Sequence, residues 1–325
     1  MKIVITVNPE QTTPPKLYGG TQRRADFIAR GLKDRGHNVM LLCGPGSECP
    51  VSKIMTSTPS MAAEWEYIKW LRDNKGWDCL LDMTAHHLSS QPIGLVGSPP
   101  TLAMMSGDPL RKYAHNDVRN RMYVSHEFAK FNRCPNHPVV LNIPTDKPPI
   151  ISSRDLTDSY CLYVGVIRPE KGIHLAALAC KLLGIRLKVI GPSPGWFKSY
   201  FESFKGQVEY LGTLGDDKWK VFANAAAFVF PSLWCDASPL VVKESLLCGT
   251  PVVGCPNGGI VEDIENDVNG YLVKPSLLAM GIGEALNKQW DREAIQKTAI
   301  EKMNPKTYID KIEALLIRVA KGERW

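Results

Sequence analysis

The feature that most constrains this chain is its alternation of short apolar, β-branched runs with segments of helix length, sustained from end to end. Candidate strands fall at 2–7, 38–43, 79–83, 101–105, 122–125 and 139–143. A second series falls at 160–164, 187–190, 208–211, 227–231, 251–254 and 270–273. Each run is bounded by Gly, Pro or Asp. Strands buried on both faces and joined by crossover helices read this way, so the pattern predicts parallel sheets in an α/β protein. Between the two series, residues 144–149 contain three prolines, which neither a helix nor a central strand accommodates. The chain is therefore expected to form two doubly wound, Rossmann-like domains, 1–148 and 149–307, facing each other across a cleft. In such sheets ligands bind at the carboxyl ends of the strands. A last helical segment, 308–325, carries Ile309, Ile312, Leu315, Leu316 and Val319 at helical spacing and is expected to pack back on the first domain.

Composition narrows the class. The 325 residues suffice for two cores, and no run of 18 apolar residues offers a membrane span. Nine cysteines lie scattered with no C-x-x-C, and the apolar N-terminus is too short for a signal peptide. Both favour reduced thiols in a cytoplasmic protein. Residues 1–148 hold 18 Lys/Arg against 13 Asp/Glu, a net +5, and the remainder 21 against 20, a net +1. No dense basic patch interleaved with aromatics is present, so nucleic acid is not expected as a partner. The segment 108–133 contains Arg111, Lys112, Arg119, Arg121, Lys130 and Arg133 with His115 and His126. It reads either as a solvated helix face or as a surface for an anionic acceptor or a membrane, making the protein membrane-peripheral.

Four constellations carry chemistry. Gly19 and Gly20 open a helix over 21–35, with Thr21 as its cap and Gly36 as its left-handed end. Glycines at a helix start let an anion approach free N–H groups. Gly165 ends a strand, and Arg168 and Lys171 follow before Gly172. The two cations are spaced to clamp one diphosphate, Arg through its fork and Lys as a point charge. Asp236 stands before a helix predicted to start at the Ser238–Pro239 cap, whose first N–H groups, at Leu240 and Val241, suit phosphate. Glu244 follows in that helix, where it suits two ribose hydroxyls, and Asp236 suits the hydroxyls of a sugar. Gly258 and Gly259 make a second close-approach turn. Asp216 and Asp217 form no D-x-D, and no Cys/His cluster has zinc spacing, so no metal is expected.

These residues resemble glycosyltransferase family 4, the retaining GT-B enzymes that use nucleotide-sugars. The resemblance lies in Asp236-x7-Glu244, then Gly249-Thr-Pro-Val-Val253, Gly258-Gly-x-x-Glu262 and Asn269-Gly-Tyr-Leu-Val273, with fainter likeness in Gly165–Gly172, Gly19–Gly20 and Gly36-His-Asn-Val39. It implies a GT-B fold and transfer of a sugar from a nucleoside diphosphate sugar to a hydroxyl acceptor in the cleft, with retention and without metal or other cofactor. The acceptor it implies is a small molecule, a glycan or a lipid-linked hydroxyl. It further implies that Arg168, Lys171 and Asp236 are catalytic, and that Gly19, Gly20, Gly165, Leu240, Val241 and Glu244 hold the donor. Backbone near Leu211 reads the base. The family's acceptor-side histidine is absent beside Asp82, and His86 or His87 is the expected substitute. Two further departures stand out: Asp236 occupies a position that is usually glutamate, and Val166 one that is often arginine. A GT-B epimerase or hydrolase and a non-catalytic nucleotide-sugar-binding protein are the alternative readings.

Overall fold

The computed structural model describes residues 1–17, 19–90, 99–106, 118, 120–145, 147–151, 153–193, 195, 204 and 206–325. The chain divides into two compact units. One is Met1–Asp146 with Asn304–Trp325, and the other is Lys147–Met303. The breaks in this division lie after 146 and after 303.

In the first unit the elements run β1 (Lys2–Val7), α1 (Gly20–Asp34), β2 (Asn38–Cys43), β3 (Ser52–Met55), α2 (Glu64–Asp73), β4 (Cys79–Met83), β5 (Thr101–Met105), β6 (Arg121–Tyr123) and α3 (His126–Phe131). The second contains β7 (Tyr160–Val164), α4 (Ile173–Leu182), β8 (Arg186–Ile190), β9 (Val208–Tyr210), α5 (Lys218–Asn224), β10 (Ala227–Phe230), α6 (Leu240–Leu247), β11 (Val252–Gly254), β12 (Gly270–Leu272), α7 (Leu278–Asn287) and α8 (Arg292–Lys302). The terminal helix α9 (Pro305–Ala320) belongs to the first unit.

Among the described residues each unit has one six-stranded sheet. The orders are β3-β2-β1-β4-β5-β6 and β12-β11-β10-β7-β8-β9, and every pairing between these strands is parallel. The order reverses between β1 and β4 in the first sheet and between β7 and β10 in the second. The loops after these four strands therefore flank the switch points where doubly wound sheets bind ligands.

The central strands are apolar on both faces because both are covered. Tyr67 and Leu71 of α2 pack on Val4, Leu42 and Leu80. Ile173, Ala176 and Ala177 of α4, with Leu278 and Ile282 of α7, pack on Tyr163, Val189 and Val229. Helix α9 lies against α1: Tyr308 meets Phe27 at 5.2 Å between ring centroids, and a methyl on Gly31 would stand 2.9 Å from Ile309 Cγ1.

Several local expectations are corrected. Helix α1 starts at Gly20 with Gly19 at the cap, so Thr21 lies inside it and caps nothing. Helix α6 starts at Leu240 with Pro239, not Ser238, at the cap position. Helix α9 starts at 305 rather than 308, because Asn304 accepts the N–H of Thr307 at 3.1 Å and Pro305 takes the first helical position. Residues 139–143 form no strand; only Val139 bridges to Tyr123, since Pro138 and Pro144 bracket the run. β3 was not expected: it is a short, largely exposed edge paired only with β2, and it lacks a buried pattern.

Candidate functional site

In the second unit, two loops meet at the switch point. After β7, Gly165 leads to Arg168 and a 3₁₀ turn over Pro169–Lys171, which Gly172 ends at φ 70 before α4. A Cβ on Gly172 would lie 2.0 Å from the carbonyl oxygen of Pro231, at the end of β10. The positive φ and this close approach both require glycine. The Leu233 N–H donates to the Glu170 carbonyl at 2.9 Å, which ties the loops again.

The side chains then pair across this seam. Lys171 Nζ forms an ion pair with Asp236 Oδ1. The other carboxylate oxygen, Oδ2, accepts from Ser232 Oγ at 2.6 Å. Ser232 is fully buried, and Asn257 Nδ2 donates to its carbonyl at 2.8 Å. Behind Asp236 stands Gly258 at φ 78, where a Cβ would be 2.2 Å from the Asp236 carbonyl oxygen. The Gly259 N–H donates to that same oxygen at 2.8 Å. The Gly258–Gly259 turn therefore seats the Asp236 loop, which accounts for both glycines without a ligand.

Arg168 differs from Lys171. Its side chain is 64% exposed, and its ion-pair partner, Glu170, stands 3.8 Å away. The two cations thus share a loop, but Lys171 is paired with a carboxylate while Arg168 stands largely exposed. At the start of α6, Pro239 has no N–H, and the Val242 N–H goes to the Pro239 carbonyl at 3.2 Å. Leu240 and Val241 hold the next main-chain donors, which a helix's first turn leaves without an intrahelical acceptor.

One turn further, Glu244 is buried and accepts from Lys218 Nζ at 2.5 Å. Lys218 opens α5 and lies over the Trp219 ring at 4.7 Å. The Leu211 N–H is committed to the Val189 carbonyl at 2.9 Å, so only its carbonyl remains for a base. The Gly165 N–H goes to Ile190, and Gly191 lies so close that its Cβ would meet the Gly165 carbonyl oxygen at 1.9 Å. Sequence reasoning missed Ser232, Lys218 and Gly191. Ser232 sits four residues before Asp236, which is a usable local signal. Lys218 lies 26 positions from Glu244, and nothing local connects them.

In the first unit, Gly19 caps α1 with its carbonyl accepting from Arg23 at 3.1 Å. A Cβ there would be 2.4 Å from Gln11 Oε1 and 2.8 Å from Pro15, so the loop after β1 folds tightly over it. Gly20 begins the helix.

The two histidines part company. His87 is buried at φ 50, with Nδ1 3.6 Å from Asp82 Oδ1. His86 is more exposed, with Nδ1 3.3 Å from Glu64 Oε1. Asp82 is fully buried and accepts from Thr6 at 3.1 Å, Thr84 at 2.7 Å and Ser90 at 2.5 Å. Burial pushes its carboxyl up, but His87 and the hydroxyl donors outweigh that and hold it below the usual range. His87 thus belongs to a buried network, and of the two only His86 has surface to offer a substrate.

Within the basic segment, Arg111, Lys112, His115 and Arg119 lie outside the described residues. Lys130 pairs with Glu127 at 2.6 Å. Among the described residues no group of three His, Cys, Asp or Glu could hold a metal, and no helix is long and apolar enough to cross a membrane.

Residues 146–302 match the family model described as Glycosyl transferases group 1. An uncharacterized glycosyltransferase of Methanocaldococcus jannaschii is 29% identical over 172 residues, which are 49% of this chain and 44% of that protein. The Escherichia coli O-antigen chain mannosyltransferase C is 28% identical over 142 residues, 42% of this chain and 38% of that protein. The matched part thus spans less than half the length of these curated relatives. Among solved structures, a glycosyltransferase involved in avilamycin A biosynthesis superposes with a TM-score of 0.74 at 25% identity, covering all of both chains. Anabaena HepE in complex with UDP and glucose superposes with a TM-score of 0.74 at 15% identity, covering 98% of this chain and all of that one. The fold is that of the GT-B glycosyltransferases.

Proposed function

We propose that this chain, whose residues 146–302 match the Glycosyl transferases group 1 model, transfers a sugar from a nucleoside diphosphate sugar to an acceptor hydroxyl with retention at the anomeric carbon. The observation that carries this reading is the paired seam of Lys171 and Asp236 beside the exposed Arg168. A diphosphate arriving there takes Lys171 away from Asp236. Lys171 and Arg168 then hold the phosphates, and the released Asp236 carboxylate accepts from hydroxyls of the donor sugar. The N–H groups of Leu240 and Val241 add neutral donors to the same charge, and Glu244 receives the ribose hydroxyls.

In the reaction the bond from the anomeric carbon to the phosphate oxygen breaks. The acceptor oxygen bonds to that carbon on the same face, and its proton passes to the departing phosphate. Negative charge grows on the leaving diphosphate, so donors fixed around it stabilise the transition state more than the ground state. Two cations and a helix start supply this without a metal. The acceptor is a small molecule, a glycan or a lipid-linked hydroxyl.

The test is a stability panel with UDP, GDP, ADP and their sugars, UDP first because it is the nucleotide in the Anabaena structure. A ligand at a hundred times its Kd adds about 2.7 kcal/mol. Turnover of the stabilising nucleotide-sugar with simple acceptors, in the presence of a chelator, then gives the anomeric configuration by NMR. If no nucleoside diphosphate stabilises the protein, the reading fails.

A further inference from the structure

Among the described residues, Arg24 is a buried cation with no carboxylate paired to it. It stands in α1 at 4% exposure. Its Nη2 donates to Thr21 Oγ1 at 3.3 Å and to Ser106 Oγ at 3.1 Å, both uncharged and both long contacts. Its Nε and Nη1 are buried and have no hydrogen-bond partner among the described residues. Burial pulls its pKa below the ordinary value, and among the described residues the Tyr308 hydroxyl, itself buried with no hydrogen-bond partner there, acts against that.

The other buried cations show how unusual this is. Lys218 has Glu244 and Lys243 has Asp263. The half-buried Arg292 collects the carbonyls of Ala225 and Ala226 at 2.9 and 3.0 Å. Leaving a buried charge unpaired costs several kcal/mol, so it persists where a ligand completes it.

The position fits a ligand. Thr21 lies in the first turn of α1, whose Gly20, Thr21 and Gln22 N–H groups have no intrahelical acceptor. Ser106 directly follows β5, at the carboxyl edge of the first sheet, where ligands of such sheets gather. The Arg24 guanidinium therefore meets both hydroxyls through Nη2 beside the start of α1, with Nε and Nη1 still unused. An oxyanion arriving here gives Arg24 a charged acceptor in place of neutral hydroxyls, and such ion-to-ion hydrogen bonds are the stronger.

We infer that Arg24, with Thr21 and Ser106, receives the oxyanion, phosphoryl or carboxylate, of an anionic acceptor. This rests on the transferase reading above and names its acceptor class. It also gives a use to the net +5 of residues 1–148.

The test uses the full chain with saturating UDP, so that the donor loops are filled, and titrates inorganic phosphate and, separately, acetate by calorimetry. Wild type binds at least one of the two; the tighter one tells a phosphoryl from a carboxylate acceptor. Arg24→Gln weakens that binding at least tenfold, Ser106→Ala weakens it several-fold, and UDP binding is unchanged in both. If Arg24→Gln does not fold, Ser106→Ala and Thr21→Ala decide by the same criterion. Anion binding equal in wild type and variants, displaced by UDP, or missing in wild type overturns the inference. Failure of UDP itself to bind is separate: it sinks the transferase reading, while the anion titration without UDP still reports on Arg24.

Discussion

Lys171 and Asp236 neutralise each other across the seam between the β7 and β10 loops, and Ser232 fixes the second oxygen of the carboxylate. Each therefore holds the other, and under the proposed function a diphosphate would have to separate them. Asp236→Asn leaves Lys171 without a carboxylate to leave. The variant is expected to bind a nucleoside diphosphate at least as tightly as wild type, while kcat falls about 10²-fold or more, because a sugar contact is lost in the transition state. Calorimetry and steady-state rates check this. Loss of nucleotide binding in the variant would contradict the exchange.

Arg168 separates function from stability. At 64% side-chain exposure, with only a 3.8 Å partner, Arg168→Ala should shift unfolding by no more than about 0.5 kcal/mol. Transfer should drop about 10²- to 10³-fold. A variant with near-wild-type turnover removes Arg168 from the site.

The buried pair of Lys218 and Glu244 predicts the opposite balance. Lys218→Met leaves Glu244 charged and unpaired in the interior and should cost about 3–5 kcal/mol. The double variant Lys218→Met with Glu244→Leu should recover much of that in urea unfolding, yet bind nucleotide poorly because the ribose contact is gone. Additive losses in the two single variants would show that the pair is not energetically linked.

Gly258 and Gly172 set the loops. Gly258→Ala puts a Cβ 2.2 Å from the Asp236 carbonyl oxygen at φ 78. It should cost more than about 2 kcal/mol and displace Asp236, lowering kcat. Gly184, also at positive φ but with open space around it, is the control: Gly184→Ala should cost about 1 kcal/mol and leave kcat unchanged. Equal losses of activity at both positions would rule out the seating role.

Acid stability should depend on Asp82. Its carboxyl is held below the usual range, so its contribution is complete above the unfolded carboxylate pKa of about 3.9. That contribution is lost as pH falls through the lower folded value. Asp82→Asn should be less stable than wild type at pH 7 but decline less steeply below about pH 4. Parallel urea midpoints at both pH values would refute it.

Most of the fold could be read in the chain because it depends on local periodicity. Central strands such as β1, β4 and β7 are continuous apolar runs, and a buried parallel strand cannot look otherwise. The edge strand β3 lacked that pattern, since one neighbour and exposed side chains impose little on composition. The Asn304–Pro305 start of α9 carries a cap signal in the residues, but the apolar stripe that marks the helix begins only at Tyr308.

The site divides in the same way. Sequence by itself determined which residues gather at the strand ends: Gly165, Arg168, Lys171, Asp236, Glu244 and the glycine turn at 258–259 follow from the order of loops and strands. Only the tertiary structure decided their state. It paired Lys171 with Asp236 over 65 positions and Glu244 with Lys218 over 26. It buried His87 beside Asp82 and left Arg24 enclosed with no carboxylate among the described residues. Periodicity records which face of an element is buried. Which charge meets which is settled where loops from distant strands converge, and there the desolvation of each group and the partner it finds are properties of the packed fold.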